Sequence, residues 1–474
     1  MGSSGRQMET RKDKPHVRAM GVQRSARKRG TLPPGPRMPS TLQAVGWALR
    51  PLAFMDRCAE RYGEIFTLRV RRRRPWVFLT NPDDVKQVFT TEPQLMRAGA
   101  GEANPLLGPL LGSSSVMLQD EPKHMSDRKR ILPSFHGQRM HAYGEMMADV
   151  ARRELVRWPL GEPFALWPRM QAISLEVVMR ATFGEAEGER LRRLRTNLVE
   201  LTNWVNGPRR LALLAAFGER SLTADPRFTA VMRPVEELVL EQVRERRAEP
   251  AEQAERHDDI LAMLERTPNE DGSPMDDRKM RDELVTFLSD GPTATSLAWA
   301  FERLLRHPEK LERLRAEVRA GDSEEYVDAV VKETLRLCPA VPVVMRRLTV
   351  PMRVGGYSIP PDTIVAPCVY LMHRRADLYP NPRAFQPERF LGEGAGTYTW
   401  IPFGGGVRRC VAVVFAQLEM KRVIQTVLSE VDLRPAESRS EAAARSSVSF
   451  APNGGAMVIA TRRRSAPVDL PTAA

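Results

Sequence analysis

One stretch of the sequence, FGGGVRRCVAVVFAQLEMK at 403–421, sets a single cysteine where its sulfur can be held as an anion. Gly404, Gly405 and Gly406 admit backbone conformations that a Cβ resists, so the chain can turn tightly there. Cys410 follows four residues after Gly406. An apolar run with helical periodicity then includes Val414, Phe415, Leu418 and Met420. A thiolate placed just before a helix N-terminus is favoured by the helix dipole and by free backbone N–H groups. Arg408 and Arg409 add positive potential. A merely structural cysteine beside a glycine turn needs neither the arginines nor the helix start.

Two further segments carry charged side chains at telling spacings. KETLRLCP (332–339) holds Glu333 and Arg336 at i, i+3, one face of a helix. DEPKHMSDRKRILPSF (120–135) holds His124 and Arg128 four apart, again on one side. Taken singly, the first is an ordinary surface bridge and the second a solvated histidine.

The elements that must position these residues follow from composition and pattern. The chain has 474 residues, 28% charged, with 4 Cys and a formal charge of +13. It is long enough to bury a large core without disulfides, and Cys58, Cys338, Cys368 and Cys410 show no zinc or disulfide spacing. No window holds the roughly 20 uncharged apolar residues of a membrane span, and no signal-peptide core is evident, so a cytoplasmic monomer is expected. Residues 1–30 carry nine Lys/Arg and two acids, +7 of the +13, and lack apolar periodicity, so this basic tail reads as disordered. It has no interleaved aromatics or binding motif, so nucleic acid is not expected as a partner.

A proline-rich entry (31–40) leads to an amphipathic segment (41–62) and two strand-like runs, 64–70 and 76–80. From about 83 to 320 the pattern is mostly helical, with loops at 97–115 and 267–276. Short β-type runs occupy 340–365, an irregular stretch fills 376–409, and a last helix is expected from about 411 to 430. The fold class is mainly α (α+β), one domain over 31–462, with a flexible tail at 463–474.

In these segments the sequence resembles the cytochrome P450 haem-thiolate enzymes. Residues 403–411 match the pattern F-G-G-G-x-R-x-C-x-G, and Ala412 stands in for the last glycine. The resemblance implies the cytochrome P450 fold around buried haem b, with Cys410 as thiolate ligand to the iron, favouring O–O cleavage. It implies that Phe403 packs beside the sulfur and that Arg408, His124, Arg128 and Arg346 reach the haem propionates. PERF (387–390) supplies Arg389, which in the family completes a cluster with Glu333 and Arg336 under the cysteine loop.

The distal helix departs from the family. There an A-G-x-[D/E]-T stretch relays protons so that the O–O bond breaks heterolytically. This chain has RDELVTFLSDGPTATSLAWAFERLLRHP at 281–308. Anchored downstream, Gly291 takes the acid position and Pro292 the alcohol position. Anchored upstream, Thr293 and Ala294 take them. Asp290, Thr293 and Thr295 are the local substitutes, and Pro292, without an N–H, is expected to leave the Leu288 carbonyl unpaired and kink the helix.

The resemblance places a substrate cover at 97–118, where Leu106, Leu107, Leu110 and Leu111 read as a greasy lid, with Trp204 and Val205 opposite. A small apolar substrate (lipid, terpenoid or steroid-like) is expected. No flavin, nicotinamide or iron–sulfur segment is evident. Electrons would therefore come from a separate ferredoxin or flavodoxin with its reductase, steered by a basic face around Arg408 and Arg409. The altered distal helix leaves two alternatives: an enzyme that uses or rearranges peroxide, and a catalytically silent haem-binding protein.

Overall fold

The computed structural model describes residues 32–71, 74–99, 107–137, 139–184, 188–205, 207, 225–269, 271–289, 291–392, 396–446 and 449–462. Both tails, Leu106 and Asp290 lie outside the described residues.

Helices dominate, as the long 3.6-residue periodicity requires. In chain order they are α1 (Ser40–Leu49), α2 (Pro51–Tyr62), α3 (Pro82–Thr90), α4 (Leu107–Leu111), α5 (Lys123–Ile131) and α6 (Arg139–Leu155). Next come α7 (Leu166–Phe183), α8 (Glu189–Val205), α9 (Pro226–Arg247), α10 (Ile260–Arg266) and α11 (Asp277–Leu288). The series closes with α12 (Pro292–Leu305), α13 (Pro308–Ala320), α14 (Glu325–Leu337) and α15 (Val413–Glu430). Local chemistry sets several starts. Asn81 caps α3 and Asp276 caps α11, each side chain accepting a first-turn N–H, and Pro82 occupies a first-turn position where no donor is needed.

The strand-like runs 64–70 and 76–80 form an antiparallel pair, β1 (Ile65–Arg71) and β2 (Arg74–Leu79). β2 runs parallel to a strand at Ile364–Pro367, and the five-stranded sheet is completed by Arg346–Leu348 and Met96–Arg97. Alternation along β1 and β2 sends Phe66 and Phe78 to one face, where their rings stack 5.1 Å apart. The main apolar core lies among α6, α7, α9, α11, α12, α14 and α15. Behind α15 the chain adds strands the periodicity did not announce. Met457–Arg462 lies between Val431–Pro435 and Pro163–Ala165 and pairs antiparallel with both, and Ala443–Ser446 pairs with Ser449–Pro452. The Trp299 indole N–H on α12 donates to the Phe450 carbonyl at 2.7 Å and fixes α12 against this region.

One expectation fails. The distal segment does not run as one kinked helix: α11 stops at Leu288, and Pro292 is the first residue of α12. The Ser289 hydroxyl bonds back to the Val285 carbonyl at 2.7 Å, and Gly291 N donates to Ser289 O at 3.0 Å. These bonds finish the first helix. Proline then starts the second at the position it tolerates best, rather than distorting a continuous one.

Candidate haem-thiolate site

The cysteine loop is built against α3. Gly404 and Gly406 have φ of +71° and +66°. A Cβ on Gly405 would stand 2.3 Å from the Phe89 ring, and one on Gly406 would stand 2.2 Å from the Phe89 carbonyl. The triple glycine is therefore a close-approach requirement set by Phe89, a residue that no spacing in the sequence singles out. Gly404 N donates to Ile401 O at 3.0 Å and Cys410 N to Phe403 O at 3.0 Å, closing the loop on itself. Cys410 is exposed and lies three residues before α15, whose N-terminal dipole favours negative charge there. Phe403 packs edge-on to Trp400, 6.1 Å between centroids.

Beneath this loop, Glu333 and Arg336 are both wholly buried and paired through two contacts, 2.6 and 2.8 Å. Arg389 Nε reaches the same carboxylate at 3.2 Å. Arg336 also donates to the carbonyls of His373, Pro382 and Ala384. His373 extends the network: burial pushes its ring down to about 3, so it is neutral. Its Nδ1 faces Arg336 O at 3.1 Å, and its Nε2 accepts from Ile401 N at 2.9 Å, two residues before Phe403. Sequence reasoning missed this histidine, because a lone His in YLMHRRADLYP has no partner at a recognisable spacing.

Four basic side chains stand at the other rim. Arg128 Nη1 donates to Arg409 O at 2.7 Å. Arg408 donates to Gln119 O and lies 3.4 Å from Asp120, so it turns inward. The expected basic docking face therefore loses Arg408 and keeps Arg409, which is exposed. Arg346 is half-buried and donates to Met345 O at 2.8 Å. Burial and then the Arg408 charge push its guanidinium down to about 10. Burial likewise lowers Arg128 and Arg408. His124 is buried, with Nδ1 2.7 Å from Glu121 Oε1. Burial and the Arg408 charge lower it more than Glu121 raises it. With Nδ1–H on Glu121, neutral His124 offers Nε2 only as an acceptor, so it meets an anion well only when protonated.

These residues fit a haem. Crowded, half-buried guanidiniums that depress one another call for anionic oxygens such as propionates. The glycine cradle and the helix N-terminus suit a thiolate.

The rings of Phe287 (α11), Phe135 and Phe415 (α15) follow one another edge-on, 5.7 Å per step. Thr293 and Thr295 are buried. The Thr295 hydroxyl accepts from the Trp167 indole at 3.3 Å, which ties it to α7. Leu111 is core, Leu107 and Leu110 are half-buried against the same core, and Trp204 packs on Phe228 at 5.7 Å. These apolar side chains are thus seated on packed helices.

The structure also reveals a polar fastening. Asp282 accepts from Ser114 N at 2.8 Å, Glu283 from Val116 N at 3.0 Å, and Thr286 bonds the Ser115 hydroxyl at 2.7 Å. Burial, aided by Asp127 and Asp282 and opposed by Val116 N–H and Lys279, pushes Glu283 up from 4.5 to about 8. The folded protein then holds a proton that the unfolded chain has released, so the contribution is complete below about 4.5 and lost as pH rises towards about 8. The unfolding free energy from urea titrations is expected to fall across that window by up to about 1.4 kcal/mol per pH unit more in the wild type than in Glu283→Gln. Parallel curves would count against a neutral Glu283.

Fold and site together define a haem-thiolate protein. The cytochrome P450 family model matches residues 32–457. The Mycobacterium tuberculosis protein bearing the name cytochrome P450 135B1 is 39% identical over 440 residues, 90% of this chain and 91% of that one. Cytochrome P450 138 of the same species is 33% identical over 441 residues, 91% and 97%. Two solved structures share the fold at 22% identity. Retinoic acid-bound cyanobacterial CYP120A1 has a TM-score of 0.76, covering 91% of this chain and all of that one. The haem domain of cytochrome P450DA has a TM-score of 0.78, covering 91% and 98%. The chain belongs to the cytochrome P450 family of haem-thiolate monooxygenases, and its cofactor is thiolate-ligated haem b. Among the described residues, no helix is long and apolar enough to cross a membrane.

Proposed function

We propose that this enzyme inserts one oxygen atom from O2 into a small apolar substrate, a lipid, terpenoid or steroid-like molecule. Its electrons come from a separate ferredoxin or flavodoxin with its reductase. The observation that carries this reading is the loop closed by Cys410 N on Phe403 O and seated on Phe89, beside Arg128, Arg346 and Arg408. Haem bound there supplies the centre for O2 reduction, and a thiolate ligand favours O–O cleavage. Cys410 supplies that thiolate, held by the start of α15. Arg128, Arg346 and Arg408 would hold the propionates, joined by His124 when it is protonated, and Phe403 and Ala412 would pack at the ring. Leu107, Leu110 and Trp204 present apolar surface that selects a substrate able to leave water. Exposed Arg409 lies on the face offered to an acidic electron donor. The deciding measurement is the absorption spectrum of the reduced, carbon monoxide-bound protein, with a lipophilic library screened for substrate-induced spectral shifts.

A second reading draws on the break between α11 and α12. Gly291 and Pro292 offer no side-chain acid or alcohol, and Thr295 is engaged by Trp167. Proton delivery then falls to Asp290, Thr293 or ordered water, and turnover is expected to be poorly coupled, with more reduced cofactor consumed than product formed. Added peroxide without a redox partner is expected to support turnover at a comparable rate. Tight coupling that survives both Asp290→Ala and Thr293→Ala, with no peroxide-driven product, would rule this reading out.

A further inference from the structure

The surface of α1 carries an apolar stripe that the catalytic reading leaves unused. Met38, Leu42, Val45 and Leu49 follow at steps of four, three and four, one face of a helix and its lead-in. They are 44%, 56%, 52% and 76% exposed. Isolated exposed apolar residues need no explanation, but a continuous stripe of four does.

The opposite face of α1 is firmly docked. Trp47 packs edge-on to Trp76 at 5.3 Å and to Phe78 at 5.8 Å. Gln43 is buried, donates to Pro36 O at 3.1 Å and accepts from Arg69 N at 2.7 Å. The helix is therefore fixed with its stripe outward. Arg37 and Arg50 are exposed at its two ends, and Arg69 is exposed on the adjoining strand. The thirty residues that precede this region in the chain add a further +7.

An apolar stripe with a basic rim fits an anionic lipid surface. Leucine and valine side chains enter the headgroup–acyl boundary while arginines stay at the phosphates. We propose that α1 is a peripheral docking face for membranes rich in anionic lipid, with Leu42, Val45 and Leu49 inserting and Arg37, Arg50 and Arg69 at the headgroups. Charge complementarity favours lipid over a second copy of this chain, because two copies would bring the same arginines and the same +7 segments together. The inference stands apart from the oxygen-insertion reading: lipid binding needs neither haem nor redox partner.

The test is co-sedimentation of the full-length, haem-loaded protein with vesicles of phosphatidylglycerol and phosphatidylcholine, or of phosphatidylcholine alone. The triple variant Leu42→Ser/Val45→Ser/Leu49→Ser alters only exposed side chains, so its melting temperature and haem spectrum serve as the folding control. Binding to the anionic vesicles is expected, at least about tenfold weaker without anionic lipid and at least about tenfold weaker in the triple variant. High salt is expected to weaken it further. No binding to the anionic vesicles would overturn the proposal. So would undiminished binding by the triple variant, which would leave the basic segment alone responsible. A dimer in solution that the triple variant abolishes would reassign the stripe to copy–copy contact.

Discussion

Arg336→Ala is expected to destabilise the protein by on the order of 3–5 kcal/mol, the range for removing one partner of a buried pair. That is a large share of the 5–15 kcal/mol a folded domain commonly has. Arg336 and Glu333 are both wholly buried, and the guanidinium serves the carboxylate together with the carbonyls of His373, Pro382 and Ala384. Truncation leaves a carboxylate held only by Arg389 and the Gln386 N–H, and three carbonyls short of a donor. The damage reaches the cysteine loop through His373, which grips Ile401 N on one side and faces Arg336 O on the other. Haem content should therefore fall with stability. Arg336→Lys separates charge from shape: an ammonium keeps the charge but cannot span both carboxylate oxygens and the carbonyls, so an intermediate loss is expected. Urea midpoints and haem-to-protein ratios measure both effects, and a loss under about 1 kcal/mol for the alanine variant would refute the argument.

The parts of this site that were legible in the sequence are those whose geometry is local. Glu333 and Arg336 share one helix, so a three-residue spacing is already a statement about contact. The same holds for the glycines, Cys410 and the start of α15. Partners brought by tertiary packing left no local trace. Phe89 makes Gly405 and Gly406 necessary but lies more than three hundred residues earlier. Asp120 and Gln119 turn Arg408 inward, which its neighbour Arg409 gives no hint of. Pro292 was read as a defect inside a helix. Whether proline kinks a helix or begins one depends on whether the preceding turn is already closed, and here Ser289 and Gly291 close it. The C-terminal strands are short and pair across the chain, so alternation within any one of them carries little signal.

Cys410→Ser is expected to abolish the thiolate-type band of the reduced carbon monoxide complex and reduce oxygen insertion to background. It should leave the unloaded protein within about 0.5 kcal/mol of wild type, as for an ordinary exposed position. The two effects separate because the loop is closed by backbone bonds that serine keeps, Cys410 N on Phe403 O and Arg409 N on Gly406 O. What serine lacks is an ionisable sulfur: its hydroxyl stays protonated where a thiol at a helix start ionises. No other cysteine is placed to substitute. Burial pushes the Cys58 thiol up to about 11 and Cys368 up to about 12, and it raises Cys338 as well. All three are thereby held as thiols, the form that does not ligate iron. A thiolate-type band that persists in the serine variant would require one of these to ionise against its burial. The glycine cradle on Phe89 and the inward-turned Arg408 would then have to be explained without a sulfur ligand at 410.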